Sequence, residues 1–314
     1  MSANLVSIII PLYNESEGVN FLVNELVSTF EKNTLFKVEL IFVDDGSSDD
    51  SFEKIKRSDF RGIEAKAIKL SKNHGTHDAL KSAILHSKGN FITYLPADLQ
   101  DPPSLSIQLY EKLVTGYDIV WAQRSTYETS FAKKKFGDLY TYLMRKFTFP
   151  NYPDKGVDIV MFNEKVKHQL NNNIEANSSL LLQILSLGFK QSYVQYDKGS
   201  RKIGVSKWTF KKRFKLVIDS FIAFSYAPIR IVSFCGIIFF LLGIAWTIFI
   251  TIRKLFYNDI LLGWPMLSSI LLLGFGITNI SIGIVAEYLW RTLDASRKRP
   301  VFIIDEIIEL NKHE

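Results

Sequence analysis

Three short polar clusters carry the residue types that handle phosphates, metal ions and nucleosides. They are Pro11-Leu12-Tyr13-Asn14-Glu15, Val43-Asp44-Asp45-Gly46-Ser47 and Ala97-Asp98-Leu99-Gln100-Asp101. A carboxylate in such a cluster can accept hydrogen bonds from a ribose or a base. Asp98 and Gln100 stand two residues apart, so an extended turn could bring both oxygens to one divalent cation. That ion would neutralise a departing diphosphate. Each cluster also has a plainer reading. Asp-Asp-Gly-Ser is a common turn, and Asp98 alone could cap the helix that follows it.

The positions of the clusters favour chemistry. Apolar runs at Leu5–Ile10, Val38–Val43, Ala67–Leu70, Phe91–Leu95 and Asp118–Trp121 read as strands. Helical stretches fall between them: one carries Phe21, Leu22, Leu26 and Phe30, another is Ala79–His86, and a third follows Pro102-Pro103. Strands alternating with helices predict a doubly wound, mostly parallel α/β sheet. Ligands of such sheets bind at the carboxyl ends of the strands, where these clusters lie. No GxGxxG follows the first strand and no GxxxxGK[ST] occurs, which disfavours a dinucleotide-binding fold and a P-loop. The single cysteine, Cys235, excludes a disulfide framework within the chain. His74 and His77 have no third partner for a zinc site, and local polar packing is expected of them. No nucleic-acid partner is expected.

The chain changes character after residue 200. Between Lys198 and Lys215 there are eight Lys or Arg and no acid, interleaved with Trp208, Phe210 and Phe214. This pattern suits an interfacial amphipathic helix on an anionic membrane. Residues 231–252 and 260–286 are then runs of 22 and 27 residues without a charge. About 20 apolar residues span a bilayer, so a transmembrane hairpin is expected. The expected organisation is a catalytic domain at 1–200, a basic juxtamembrane segment at 201–228, a hairpin at 229–290 and a tail at 291–314. Basic residues flank both outer ends of the hairpin, and the first residues lack the basic start of a signal peptide. Both termini are therefore expected on the cytoplasmic face. Glu287, just past the second run, is expected to pair with Arg291 one turn on. The hairpin could also support contacts in a homo-oligomer.

The three clusters together resemble the signature of family 2 glycosyltransferases with a GT-A fold. More narrowly, they look like those of the polyprenyl-phosphate sugar transferases. The similarity extends through Arg201-Lys-Ile-Gly-Val-Ser-Lys207 to the C-terminal hairpin. It implies that Pro11, Tyr13, Glu15, Val43 and Asp45 line the nucleoside pocket and that Ala97 and Asp98 meet the diphosphate. It further implies that Asp98 and Gln100 hold Mg2+ or Mn2+. Arg124 would contact a donor or acceptor phosphate, and Arg201 and Lys207 would bind phosphate before the membrane helix. The implied reaction moves a sugar from a nucleotide-sugar, a UDP-hexose by bacterial analogy, to polyprenyl phosphate with inversion. The implied setting is a bacterial inner membrane. Asp158 lies where relatives carry an acid near the acceptor. It would become an essential base if the acceptor were a glycolipid or saccharide hydroxyl, whereas a phosphate acceptor needs little deprotonation. One departure from the family pattern is Pro96, which stands where an aspartate is usual and cannot ligate a metal. An inactive scaffold is the remaining alternative.

Overall fold

The computed structural model describes residues 4–125, 131–150, 152–153, 158–176, 178–199, 224–225, 227–257, 263–297 and 299–310. The chain divides into two compact units. One comprises Met1–Val217 with Pro300–Glu314, and the other is Ile218–Arg299.

The first unit is built on an eight-stranded sheet. In chain order its elements are β1 (Leu5–Leu12), α1 (Val19–Phe30), β2 (Lys37–Asp44), α2 (Ser51–Lys56), β3 (Glu64–Leu70), α3 (Thr76–His86), β4 (Phe91–Tyr94), α4 (Leu105–Leu113), β5 (Ile119–Arg124), α5 (Phe131–Phe147), β6 (Val160–Asn163), α6 (Glu164–Asn172), α7 (Leu180–Ser186), β7 (Gln191–Tyr196) and β8 (Ile304–Glu309). The strand order is β7-β5-β6-β4-β1-β2-β3-β8. β1 pairs in parallel with β2 and β4, β2 with β3, and β5 with β7, while β6 and β8 run antiparallel to their neighbours. The sheet is therefore mostly parallel, as the βαβ pattern predicts.

Sequence explains this core. β1 is a near-continuous apolar run with Val6, Ile8, Ile9 and Ile10 at most 1 % exposed, as expected for a strand covered on both faces. α1 buries Val19, Leu22, Val23, Leu26, Val27 and Phe30, one stripe at helical spacing. Truncating such a residue, Leu26→Ala for example, should cost about 2–5 kcal/mol.

After residue 126 the fold adds α5, β6, α6, α7 and β7, which the sequence reading does not assign. One expectation is corrected. The expected tail at 291–314 contains β8, whose residues Ile308 and Ile307 pair antiparallel with Ala67 and Ile68 of β3.

The second unit contains α8 (Ala227–Tyr257) and α9 (Trp264–Ser296). For the expected transmembrane hairpin the fold establishes two long helices. Among the described residues, no helix is long and apolar enough to cross a membrane. Large apolar side chains are nonetheless exposed along both, including Phe256 at 77 % and Phe275 at 66 %. Arg291 Nε donates to Glu287 Oε1 at 3.1 Å, the one-turn pairing expected from the sequence.

Candidate active site

The carboxyl ends of β1, β2, β3, β4, β5 and β7 share one edge of the sheet. β6 runs the other way, so its amino end, with Asp158 just before it, reaches that same edge. The antiparallel insertion is what brings Asp158 to the site.

The residues expected to line a nucleoside pocket lie at the ends of β1 and β2 and in the turns that follow them. Pro11 stands in register with Val43, and Leu12 with Asp44. The ladder continues past the strands as Asp45 N–H donates to Leu12 O at 2.9 Å. Asn14, in the left-handed region at φ 50°, links the two turns. Its N–H donates to Ser47 Oγ at 2.9 Å, and its Oδ1 accepts from Ser48 N–H at 2.8 Å. Glu15 N–H donates to Ser51 Oγ at 2.9 Å. Tyr13 is exposed beside them.

The adjacent carboxylates differ in role. Asp44 accepts from the Ser47 hydroxyl and N–H, which is the turn reading. Asp45, 4 % exposed, accepts the His74 N–H at 2.7 Å on one oxygen and the Gly75 N–H at 2.9 Å on the other. It thereby holds the loop entering α3 against the edge. Gly46 makes that approach possible: at φ +69° a Cβ there would stand 2.4 Å from the Lys72 carbonyl carbon. Burial pushes both carboxyls up, and the hydrogen bonds they accept pull them partly back.

Two imidazoles lie here, His74 in that loop and His77 in the first turn of α3. Among the described residues, His74 Nε2 and His77 Nδ1 are buried without a hydrogen-bond partner, so the polar packing expected of them is incomplete. Burial, and then the charge of Lys81, lowers the His77 pKa to about 4. His77 is therefore neutral at ordinary pH.

After β4 comes the turn with Asp98 and Gln100. Leu99 adopts φ 52° and belongs to the core cluster, leaving its half-buried neighbours to either side. Asp98 Oδ1 accepts the Gln100 N–H at 3.2 Å. Among the described residues no group of three or more His, Cys, Asp or Glu could hold a metal ion. The two ligands expected from the sequence, Asp98 and Gln100, offer one carboxylate and one amide oxygen, a set that would suit a hard cation sharing substrate phosphates and water rather than a closed cage.

A second charged group lies at the ends of β5 and β7. Arg124 Nη2 donates to Asp158 Oδ2, which also lies 3.9 Å from Lys198 Nζ. Lys198 Nζ is 3.0 Å from Asp101 Oδ2, and the Tyr196 hydroxyl donates to Asp101 Oδ1 at 2.5 Å. The Tyr94 hydroxyl donates to the Asp158 carbonyl at 2.6 Å. Burial opposes the charge on Arg124, but Asp158 beside it outweighs that and pushes the guanidinium up. Burial, with Asp101 next, pushes the Tyr196 phenol up. Two cations and two carboxylates thus form one chain of charge.

The structure therefore gathers Pro11, Tyr13, Glu15, Val43, Asp45, Ala97, Asp98, Gln100, Arg124 and Asp158 on residues along or next to one sheet edge. Arg201 and Lys207 lie outside the described residues. Sequence reasoning missed Tyr94, Asp101, Tyr196 and Lys198 as members of the site. Asp101 ends a quoted cluster and Lys198 begins the basic run, so each left a signal.

The mostly parallel α/β sheet, with acidic turns and an arginine along its carboxyl edge, is the GT-A-like fold expected from the sequence. The description Glycosyl transferase family 2 matches residues 7–170, and the chain belongs to that family. It is 31 % identical over 301 residues to the uncharacterized glycosyltransferase YkcC of Bacillus subtilis (strain 168), covering 96 % of this chain and 93 % of the relative. It is 28 % identical over 304 residues to a prophage bactoprenol glucosyl transferase homolog of Escherichia coli (strain K12), covering 96 % and 99 %. It is also 28 % identical over 311 residues to the undecaprenyl-phosphate 4-deoxy-4-formamido-L-arabinose transferase of Klebsiella pneumoniae (strain 342), covering 96 % and 93 %.

Proposed function

We propose that this glycosyltransferase moves a hexose from a UDP-sugar to polyprenyl phosphate at a bacterial inner membrane, with inversion. The observation that carries the reading is the paired engagement of Asp158. Arg124 holds its carboxylate and Lys198 stands close by, so it is poorly placed to take a proton from a hydroxyl. An acceptor that is already an anion needs no base, and Arg124 suits it because a guanidinium can bind a phosphate through two parallel hydrogen bonds. The names of the two undecaprenyl- and bactoprenol-related relatives agree with such an acceptor.

In this reading Pro11, Tyr13, Glu15, Val43 and Asp45 border the nucleoside, and Ala97 and Asp98 border the diphosphate. Asp98 and Gln100 would hold Mg2+ or Mn2+, which supplies charge neutralisation for the leaving diphosphate. Arg124 orients a phosphate oxygen toward the anomeric carbon, and a single displacement there inverts its configuration.

The membrane part of the proposal rests on the uncharged runs at 231–252 and 260–286 and on the exposed apolar residues of α8 and α9. Residues 300–314 belong to the same unit as 1–217, which agrees with an even number of crossings between them and so with both ends on one face. The basic flanks of the hairpin favour the cytoplasmic face for the catalytic unit and both termini.

The test supplies membranes containing the protein with undecaprenyl phosphate, Mg2+ or Mn2+, and a panel of radiolabelled UDP- and GDP-sugars. Label should enter the organic phase from one donor and should disappear with EDTA or in Asp98→Ala. Loss of metal-linked stabilisation worth several kcal/mol should lower turnover about 10^3-fold or more. No lipid-phase label from any donor would sink the reading, and a retained anomeric configuration in the product would sink the single displacement.

A further inference from the structure

The chain leaving β7 is bound to the turn after β4 at three points. The Tyr196 hydroxyl and Lys198 Nζ both reach Asp101, at 2.5 and 3.0 Å. Gly199 N–H donates to Gln100 O at 2.8 Å, so the two backbones touch. A Cβ at Gly199 would stand 3.3 Å from that oxygen, so little space remains there. Sheet pairing does not make this connection, because β5 and β6 separate β7 from β4.

Asp101 is 0 % exposed, although Gln100 beside it is half-buried. A buried carboxylate is costly unless paired and hydrogen-bonded, and Lys198 and Tyr196 supply both. Lys198 in turn lies between Asp101 and Asp158, and Asp158 accepts from Arg124. The run Asp101–Lys198–Asp158–Arg124 therefore links the Asp98–Gln100 turn to the guanidinium at the end of β5.

Building on the transfer reading, we propose that Asp101 is a positioning residue that, through Lys198 and Tyr196, fixes the metal-binding turn and the Arg124–Asp158 pair as one unit. Without its charge, Lys198 is free to move onto Asp158 and compete with Arg124 for the same oxygen. The turn loses its side-chain anchors at the same moment. Both the diphosphate side and the phosphate-binding side of the site then lose their fixed spacing.

The test uses the full chain in detergent or membranes, as wild type, Asp101→Asn, Tyr196→Phe, Lys198→Met and the Asp101→Asn/Lys198→Met double variant. Binding of Mn2+ is titrated in the presence of UDP or GDP without acceptor, alongside kcat and Tm. Asp101→Asn should weaken Mn2+ binding about 10-fold or more, as loss of a group that orients a metal ligand does. Its kcat should fall while Tm drops only modestly, and Tyr196→Phe should change the same quantities in the same direction by less. The double variant should be little worse than Asp101→Asn, because the two residues act through one link.

A lowered Tm with unchanged Mn2+ affinity and kcat would reduce Asp101 to a structural residue and overturn the proposal. Additive losses in the double variant would overturn it as well. If Asp101→Asn does not fold, unchanged Mn2+ affinity and kcat in Tyr196→Phe has the same consequence. A wild type that binds Mn2+ with nucleotide but transfers no sugar would defeat the transfer reading alone, and the binding titrations would still decide the role of Asp101. A wild type that binds neither nucleotide with Mn2+ would overturn both.

Discussion

The two edges of the sheet bury similar charges in opposite ways. At the amino edge, Glu39 is 0 % exposed and its carboxylate takes the Ser7 hydroxyl and the Lys88 N–H. Lys66 lies 3.7 Å from Glu39 and 3.4 Å from Glu309 of β8, and its ammonium donates to the His86 carbonyl at 3.0 Å. Gly89 closes this cluster, since a Cβ there would stand 2.5 Å from Ser7 Oγ. At the carboxyl edge, the side chains of Arg124 and Asp158 keep 30 % and 33 % of their surface. At the amino edge the Glu39–Lys66 pair itself is sealed, at 1 % and 7 % side-chain exposure, and ties strands together. The Arg124–Asp158 pair is open to solvent on one side, so in the proposed reaction it could exchange a carboxylate partner for a substrate phosphate. On that reading, charge in the sheet serves stability where it is enclosed and function where it is reachable.

The largest effect expected from this contrast is on stability. Glu39→Ala leaves Lys66 buried with, among the described residues, the half-exposed Glu309 as its one carboxylate partner, and removing one member of a buried ion pair costs about 3–5 kcal/mol. Chemical denaturation should show that loss, while kcat/KM of the folded fraction stays near wild type. A catalytic defect without a stability loss would break the division between the edges.

Arg124→Lys makes the opposite probe, because it keeps the charge and removes the planar fork. An expected fall in kcat/KM of about 10–100-fold corresponds to about 1.4–2.7 kcal/mol of binding in the transition state. Tm should move little, since the side chain is partly exposed and a lysine can still pair with Asp158. Near-normal kinetics would mean that the open edge needs only a positive charge there.

The same contrast explains what was legible in the sequence. β1 to β5 are apolar runs, and the Asp98–Gln100 turn is contiguous, so pattern alone locates them. β8 is hidden because Ile304–Glu309 carries three acids in six residues. In the fold those acids meet Lys56, Lys66, Lys69 and Lys88, which are scattered over α2, β3 and the loop before β4. β7, Gln191–Tyr196, is a half-exposed edge strand with little apolar signal. Missing it meant missing that Tyr196 and Lys198 come back to Asp101, which lies 95 and 97 residues earlier. Chemistry held within one turn could be read directly. Chemistry assembled across the sheet could not, because neither partner declares its register.

The smallest expected effect is a pH dependence that belongs to the carboxyl edge. The His77 pKa falls from 6.5 to about 4 in the folded chain, first through burial and then through Lys81. A histidine with a depressed pKa stays neutral when folded but takes up a proton when unfolded. Its burial therefore costs nothing extra above pH 6.5, and stability is lost as the pH falls from there toward 4. Between pH 7 and pH 5 this amounts to about 1–2 kcal/mol, allowing for the half-buried setting of the residue. His77→Asn, which cannot be protonated, should show a correspondingly smaller drop in denaturation midpoint over that interval. Equal drops in the two proteins would mean that the His77 ring reaches water in the folded state. The loop held by Asp45 would then be looser than its two backbone hydrogen bonds require, and the open edge would extend further toward α3 than the cluster around Arg124.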